Sequence, residues 1–392
     1  MKSKQPVSRN ASSQKFKILF VFGTRPEVIK LAPVIRAAQN YREIKVLTVA
    51  SGQHTDLLRP LLRLFRLRPN FNLDVMQARQ TPNDVLARVL AKFGPLVEAQ
   101  KPDLILVQGD TTTALAAALT GFHHKIPVGH VEAGLRSGDP LSPFPEEMNR
   151  RLITQVATYH FAATEGNRKA LLQEGVPERN IHVTGNPVVD SLHYILESSK
   201  PSARVRRLLQ QVDGEKLLLL TTHRRESFGR TMRQNLRDIR AFVESHEDTA
   251  LVFAVHPNPN VTDAARAELD QHPRIHLIKP LDYADFIQLL RHAWLLLSDS
   301  GGIQEEAPSL GKPLLVLRNN TERPEAIESG IAFLVGDRPG RLAGLMQQAY
   351  ANADWFQNAK NVQNPFGDGK SGKRIVDLVR RELGQIRGAV VC

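Results

Sequence analysis

The segment FKILFVFGTRPEVIKLAPVI, residues 16–35, decides the fold. Phe16 to Phe22 is apolar apart from Lys17 and has the length of a strand, so it reads as a strand buried on both faces. Gly23, Thr24 and Arg25 then make a turn. Pro26, with its fixed φ and missing N–H, suits the first turn of a helix. Val28, Ile29, Ala32, Val34 and Ile35 follow at helical spacing. A strand, a tight turn and a helix open a parallel βα unit.

The same alternation continues outward. Further strands are expected at Ile44–Ala50, Asp103–Gln108, Pro127–Val131, Phe161–Ala163 and Ile181–Val183. A second series is expected at Lys216–Thr221, Ala250–Val255, Ile275–Ile278, Trp294–Ser298, Pro313–Leu317 and Ile331–Val335, with helical patterns between. A polar, charged stretch at 191–215 separates the two series. The reading is an α/β chain of two Rossmann-like domains, residues 16–190 and 191–368, facing each other across a cleft. A basic tail, 1–15, precedes them. Residues 369–392, with Ile375, Val376, Val379 and Leu383, predict a final helix that crosses back onto the first domain.

Composition narrows the function classes. A chain of 392 residues, 42% hydrophobic, has material for two cores. Its one cysteine, Cys392, excludes an intrachain disulfide. No apolar run reaches the roughly 18–20 residues of a membrane span, and the N-terminus lacks the apolar core of a signal peptide. A soluble cytoplasmic protein is expected. The net charge of +12 is partly local, since residues 1–17 carry Lys2, Lys4, Arg9, Lys15 and Lys17 and no acid. With 6% aromatic residues and no nucleic-acid motif, a protein that holds diphosphates is expected in place of a nucleic-acid partner. Gly367 to Lys373 has P-loop spacing, but Arg374 stands where Ser or Thr is needed and no strand precedes it, so it reads as a hinge. His123 and His124 are adjacent and share no helix face, and no metal site is expected.

In an open α/β sheet the ligand crevice lies beyond the carboxyl ends of the strands. Asp110, Glu132 and the Glu146/Glu147 pair fall in such loops, where carboxylates suit proton transfer. Capping of a helix by Asp110, and solvated charge near a helix start, are the competing readings. Adjacent helical residues point about 100° apart, so only one of Glu146 and Glu147 should face the site. In the second domain, residues 296–307 read as strand, small-residue turn and helix. The N–H groups of Ser300, Gly301 and Gly302 would receive a phosphate. Glu306, in preference to Glu305, would reach a ribose hydroxyl. Arg25 and Lys30 from the first domain, and His223 and Arg224 from the second, add cationic groups for the same diphosphate. A purely structural His223 stays open.

The motifs FGTRPEVIKLAP (22–33), GDTTT (109–113), HVEAGLRS (130–137), THRRESFG (222–229), SDSGGIQEEAP (298–308) and TERPE (321–325) together resemble the non-hydrolysing UDP-N-acetylglucosamine 2-epimerases. The resemblance implies a GT-B glycosyltransferase-like fold, usually as a homodimer. It also implies interconversion of UDP-N-acetylglucosamine and UDP-N-acetylmannosamine without metal or nicotinamide cofactor. The implied route is elimination of UDP to 2-acetamidoglucal and re-addition, supplying N-acetylmannosamine-derived sugars for surface polysaccharide. It places the acid/base groups at Asp110, Glu132 and Glu146 and a diphosphate-side histidine at His223. Arg25, Lys30, Ser300, Gly301, Gly302 and Glu306 correspond to the UDP site, and Arg150 to an arginine near the sugar. Bacterial members bind a second UDP-N-acetylglucosamine as activator, and Gln53, His54, Arg224 and His256 match residues implicated there. Thr55-Asp56-Leu57 follow where many relatives carry Arg-Glu-Met. The alternatives are an epimerase of a modified UDP-sugar, a hydrolysing 2-epimerase, a GT-B glycosyltransferase and a non-enzymatic nucleotide-sugar sensor.

Overall fold

The computed structural model describes residues 15–52, 55–77, 79–224 and 227–390. The tail through residue 14, and Gln53 and His54, lie outside the described residues. The first sheet contains β1 (Phe16–Phe22), β2 (Ile44–Ala50), β3 (Phe71–Asn72), β4 (Leu104–Gln108), β5 (Val128–Ala133), β6 (Tyr159–Ala162) and β7 (Ile181–Val183), in the order β3-β2-β1-β4-β5-β6-β7. The second contains β8 (Lys216–Thr221), β9 (Thr249–Ala254), β10 (Ile275–Ile278), β11 (Leu295–Ser298), β12 (Leu314–Val316) and β13 (Ala332–Leu334), in the order β10-β9-β8-β11-β12-β13. All pairings in both sheets are parallel. Each sheet therefore reverses winding once, between β1 and β4 and between β8 and β11, and opens a crevice there.

Alternate residues of β1 point into different cores. Leu19 and Val21 join a cluster beneath the helices α3 (Pro82–Gln100) and α4 (Thr112–His123). Ile18, Phe20 and Phe22 join a second cluster with α1 (Arg25–Gln39), α7 (Pro187–Ser198) and α16 (Ser371–Val390). β8 repeats the scheme. Leu218 and Leu220 face α9 (Arg230–Ser245), and Leu217 and Leu219 face the cluster that also holds Phe20. One apolar core thus runs between the two sheets. Covered on both faces, these strands need the near-continuous apolar runs they have.

Two expectations change. The strand expected at Phe161–Ala163 is β6, Tyr159–Ala162, paired through His160 to Ile181. The polar stretch at 191–215 is mostly helical, in α7 and α8 (Ala203–Gln211). Its sparse apolar residues, Leu192, Ile195, Val205 and Leu208, all turn into the core. The final helix expected within 369–392 begins at Ser371. Asp190 accepts the N–H groups of Ser371 at 3.1 Å and Gly372 at 2.8 Å, so a protein carboxylate satisfies this helix start. A Cβ at Gly372 would stand 2.8 Å from the Pro33 carbonyl carbon. That close approach lets α16 lie on α1, where Tyr41 donates to Asp377 at 2.6 Å.

Candidate active site

The turn after β1 is organised by an acid that the sequence reading gave no role. Glu27 is fully buried and accepts from Gly23 N (2.9 Å), Thr24 N (2.7 Å) and the hydroxyls of Thr24 and Thr111 (2.8 Å each). Thr111, not Asp110, caps α4, through Ala114 N at 3.0 Å. That frees the Asp110 carboxylate to meet Arg150, which binds it through Nε at 3.1 Å and through Nη2. Arg150 stands on α5 (Glu146–Val156), and its Nη1 donates to Glu147 at 3.0 Å. Glu147 also accepts from Ser137 N (3.0 Å) and Arg151 Nε (2.9 Å) and is fully buried. Its oxygens are committed to structure, so Glu146 is the member of the pair left towards the cleft. Burial pushes the Glu146 carboxyl above its ordinary value, nearby Asp110 adds to this, and Arg150 and Arg224 oppose it.

His130 and Glu132 lie on β5. Burial pushes His130 down to about 3, so it is neutral, and its Nε2–H donates to the Gly109 carbonyl at 2.7 Å, bracing the loop that carries Asp110. Glu132 stands where the β5–β6 register shifts, with φ at +66°. A left-handed non-glycine backbone costs roughly 1–3 kcal/mol and persists only where its surroundings impose it. Here it aims the carboxylate into the cleft. Lys30 Nζ meets both oxygens, at 2.7 and 2.6 Å, and Gln108 donates as well.

Lys30 also stands 3.3 Å from Glu305, and Arg323 Nε donates to Glu305 at 2.6 Å and lies 3.6 Å from Glu132 through Nη2. Two carboxylates and two cations, one of each from either domain, close on each other across the cleft. Burial alone would lower Lys30, but Glu132 and Glu305 outweigh it and hold the ammonium above its ordinary value. Burial pushes Glu132 up against the pull of Lys30. For Glu305 burial is outweighed by Arg323 and Lys30, which hold it low. Lys30 is thus paired with an acid in this state, although the sequence reading gave it to the diphosphate. Arg25, the first residue of α1, is half-buried.

The facing wall is main chain. Ser300 caps α12 (Gly301–Leu310), whose start is Gly301-Gly302. The Ser300 N–H, expected to point at a phosphate, is taken by the Ser298 hydroxyl at 3.0 Å. Gly301 lies against Arg323, where a Cβ would be 2.5 Å from Nη1, whereas at Gly302 the nearest atom would be Ser300 Oγ at 3.9 Å. Glu306 is buried and accepts from the Tyr283 hydroxyl at 2.8 Å, and burial pushes it up to about 8.

Beside α12 lies a second organising acid that the sequence reading did not single out. Asp299 is fully buried, and its Oδ2 accepts from the Thr222 hydroxyl (2.7 Å), His223 N (2.8 Å) and Arg224 N (2.9 Å). Arg224 Nε donates to the Asp299 carbonyl at 3.1 Å. The His223 ring, 45% exposed, is no core histidine, and it stacks on His256 with centroids 5.6 Å apart. Burial, and then His223, lower the His256 imidazole. Of the residues matched to an activator site, Arg224 and His256 therefore flank His223. Among the described residues no group of three His, Cys, Asp or Glu is placed to hold a metal, and no helix is long and apolar enough to cross a membrane.

Comparison with known proteins identifies the family. Residues 36–380 match the family model described as UDP-N-acetylglucosamine 2-epimerase. The chain is 44% identical over 369 residues to UDP-N-acetylglucosamine 2-epimerase of Yersinia pestis, covering 93% of this chain and 98% of that protein. It is similar to the crystal structure of UDP-GlcNAc 2-epimerase from Neisseria meningitidis bound to UDP-GlcNAc, with TM-score 0.88, 39% identity, and coverage of 93% of this chain and 100% of that one. The Methanocaldococcus jannaschii UDP-GlcNAc 2-epimerase in complex with UDP-GlcNAc and UDP gives TM-score 0.80 at 36% identity, covering 93% of this chain and 100% of that one.

Proposed function

Because the chain belongs to the UDP-N-acetylglucosamine 2-epimerase family and is an epimerase, we propose that it inverts carbon 2 of UDP-N-acetylglucosamine by elimination and re-addition of UDP. The C2 proton of this sugar is not next to a carbonyl, so a free carbanion there is too costly. When the C2–H bond breaks, its electron pair forms the C1=C2 double bond of 2-acetamidoglucal. The C1–O bond breaks with it, and its pair leaves on the β-phosphate oxygen of UDP. UDP then adds back, and a proton reaches C2 from the opposite face.

Two faces call for acid/base groups on both sides of the ring. Glu132, Glu146 and Asp110 fill those roles, and Arg150 holds Asp110 in place. Leaving UDP calls for positive charge and N–H donors. Arg25, Arg224, His223 and the start of α12 meet that need, with Glu306 on the ribose. Lys30 and Arg323 would exchange a carboxylate for the diphosphate when substrate enters. A second nucleotide sugar beside His223 and Arg224, stacked near His256, is the activator reading. The chain is read as a homodimer acting in the cytoplasm, supplying UDP-N-acetylmannosamine for surface polysaccharide.

One observation carries the proposal. Glu132, a carboxylate raised by burial, is one guanidinium away from Gly301, at the amino end of α12. A group able to take a proton thus sits next to a place able to receive the diphosphate. The test is proton NMR of the protein with UDP-N-acetylglucosamine in deuterated water. Deuterium should appear at C2 as UDP-N-acetylmannosamine grows in. Free N-acetylmannosamine with UDP would mean a hydrolase. No exchange would remove this substrate and turn attention to modified nucleotide sugars or a transferase.

A further inference from the structure

The buried acid after β11 has one oxygen with nothing to do except face His223. Asp299 Oδ2 is saturated by three donors from residues 222–224. Among the described residues Oδ1 has no hydrogen-bond partner. It makes an ion-pair contact with His223 Nδ1 at 3.2 Å, out of line for a full hydrogen bond. We propose that Asp299 is a positioning residue for His223, fixing its Nδ1 as the protonated nitrogen and leaving Nε2 to exchange a proton with the leaving diphosphate. The proposal deepens the role of His223 under the epimerase reading and rests on it.

Donor and acceptor roles fix which nitrogen of His223 carries the hydrogen. Burial favours the neutral acid, but the His223 contact and the two N–H bonds outweigh it and hold Asp299 below its usual range. An ionised carboxylate only accepts. The imidazole nitrogen facing it must therefore carry the hydrogen, and the other nitrogen is the one whose proton can change. The other described titratable or charged groups around the ring do not offer a rival partner on that side. His256, from the loop after β9, stacks face to face and is itself lowered by burial and by His223. The Arg224 side chain turns away to the Asp299 carbonyl and towards Glu322, 4.0 Å off. As the C1–O bond breaks, Nε2–H of the imidazolium gives its proton to the β-phosphate oxygen, and on re-addition it takes that proton back. The ring is partly exposed on its open side, as a group that meets a ligand must be.

The informative substitution is Asp299→Asn. The amide oxygen can still accept from Thr222, His223 N and Arg224 N, so the loop keeps its bonds. The amide nitrogen then faces Nδ1 as a donor, which forces the hydrogen onto Nε2. Nitrogen-15 NMR of histidine-labelled protein without ligand should show His223 protonated on Nδ1 in the wild type at high pH and on Nε2 in the variant. Turnover should fall about 100-fold or more, the scale of lost general acid–base catalysis, with KM for UDP-N-acetylglucosamine moving less than kcat. The wild-type spectrum decides the matter even if the variant does not fold. His223 protonated on Nε2 in the wild type overturns the proposal, as does a folded variant with unchanged turnover and pH profile. Absence of C2 exchange in the wild type would sink the epimerase reading while leaving the tautomer result standing.

Discussion

The two walls of the cleft are built from the same βα unit and put to different uses. On the first domain the strand ends present side chains. Asp110 after β4, Glu132 near the end of β5 and Glu146 at the start of α5 lie in turn along the chain, each with a cation close by. On the second domain the strand ends present backbone. Gly301 and Gly302 open α12, and the acid at the matching place, Asp299, is turned inwards to hold its own loop. Asp110 follows β4 and Asp299 follows β11, the strands that flank the two winding reversals. One keeps its carboxylate at the cleft because Thr111 supplies the cap. The other gives its carboxylate to three donors and meets the cleft through the residues it holds, His223 and Arg224. A shared topology thus yields one wall of carboxylate side chains and one of exposed helix-start backbone, the arrangement the proposed proton transfer and diphosphate binding would use, according to where the local hydrogen bonds are satisfied.

The largest way to break this contrast is Glu132→Gln. If Glu132 exchanges the C2 proton as proposed, its loss should reduce C2 deuterium exchange about 10³-fold, within the range for general acid–base catalysis. UDP affinity, measured by calorimetry, should stay within a few-fold because the opposite wall is intact. The variant also leaves Lys30 and Arg323 with one buried carboxylate fewer. An unbalanced buried charge costs about 3–5 kcal/mol, so urea unfolding should start earlier. Retained exchange in Glu132→Gln would end the assignment of proton transfer to the first wall.

The next effect concerns pH. Glu306 is raised from 4.5 to about 8. Between those values the folded chain holds a proton that the unfolded chain has released. Its contribution to stability is therefore complete below pH 4.5 and is lost as pH rises through 8, with a slope up to about 1.4 kcal/mol per pH unit. Glu306→Gln does not titrate and can still accept from Tyr283. Urea titrations at pH 5, 6.5 and 8 should show the wild type losing stability relative to the variant as pH rises. Parallel curves would mean that Glu306 is ionised throughout, and the second wall would then carry a buried negative charge.

The smallest effect sharpens the reading of the second wall. Gly301→Ala brings a methyl group to 2.5 Å from the Arg323 guanidinium, which Glu305 holds in place. Such overpacking costs about 1–3 kcal/mol, so UDP affinity should fall about tenfold or somewhat more. Gly302→Ala, with its nearest neighbour at 3.9 Å, should fold as the wild type does. Equal UDP affinities for the two variants and the wild type would mean that this helix start does not approach the nucleotide.

Much of the architecture was legible along the chain. The expected limits of β1, β2, β7, β8 and β10 are the observed ones, and in β1 and β8, covered on both faces, apolar residues run nearly throughout. β3 was not legible. It has two residues, and its pairing with Val49 and Ala50 depends on the preceding strand already being in place. The helices within 191–215 were hidden by their exposed polar faces. In the site, Asp299 and Glu27 went unassigned although both lie in quoted motifs. A signal existed for Asp299, since it follows its strand as Asp110 follows β4.

Periodicity, strand-end acids and glycine-rich turns are properties of neighbouring residues, so the order of amino acids alone established two parallel sheets and the loops that form the cleft. Which acids remain available there was settled by packing. Lys30 and Glu132 are separated by 102 positions, and Arg323 and Glu305 come from the other domain. Glu147 is consumed by Ser137, Arg150 and Arg151, while its neighbour Glu146 is left to the cleft. In a buried, low-dielectric setting the protonation of a carboxylate follows its desolvation and its nearest partners in space, and those partners are brought together only when the chain folds.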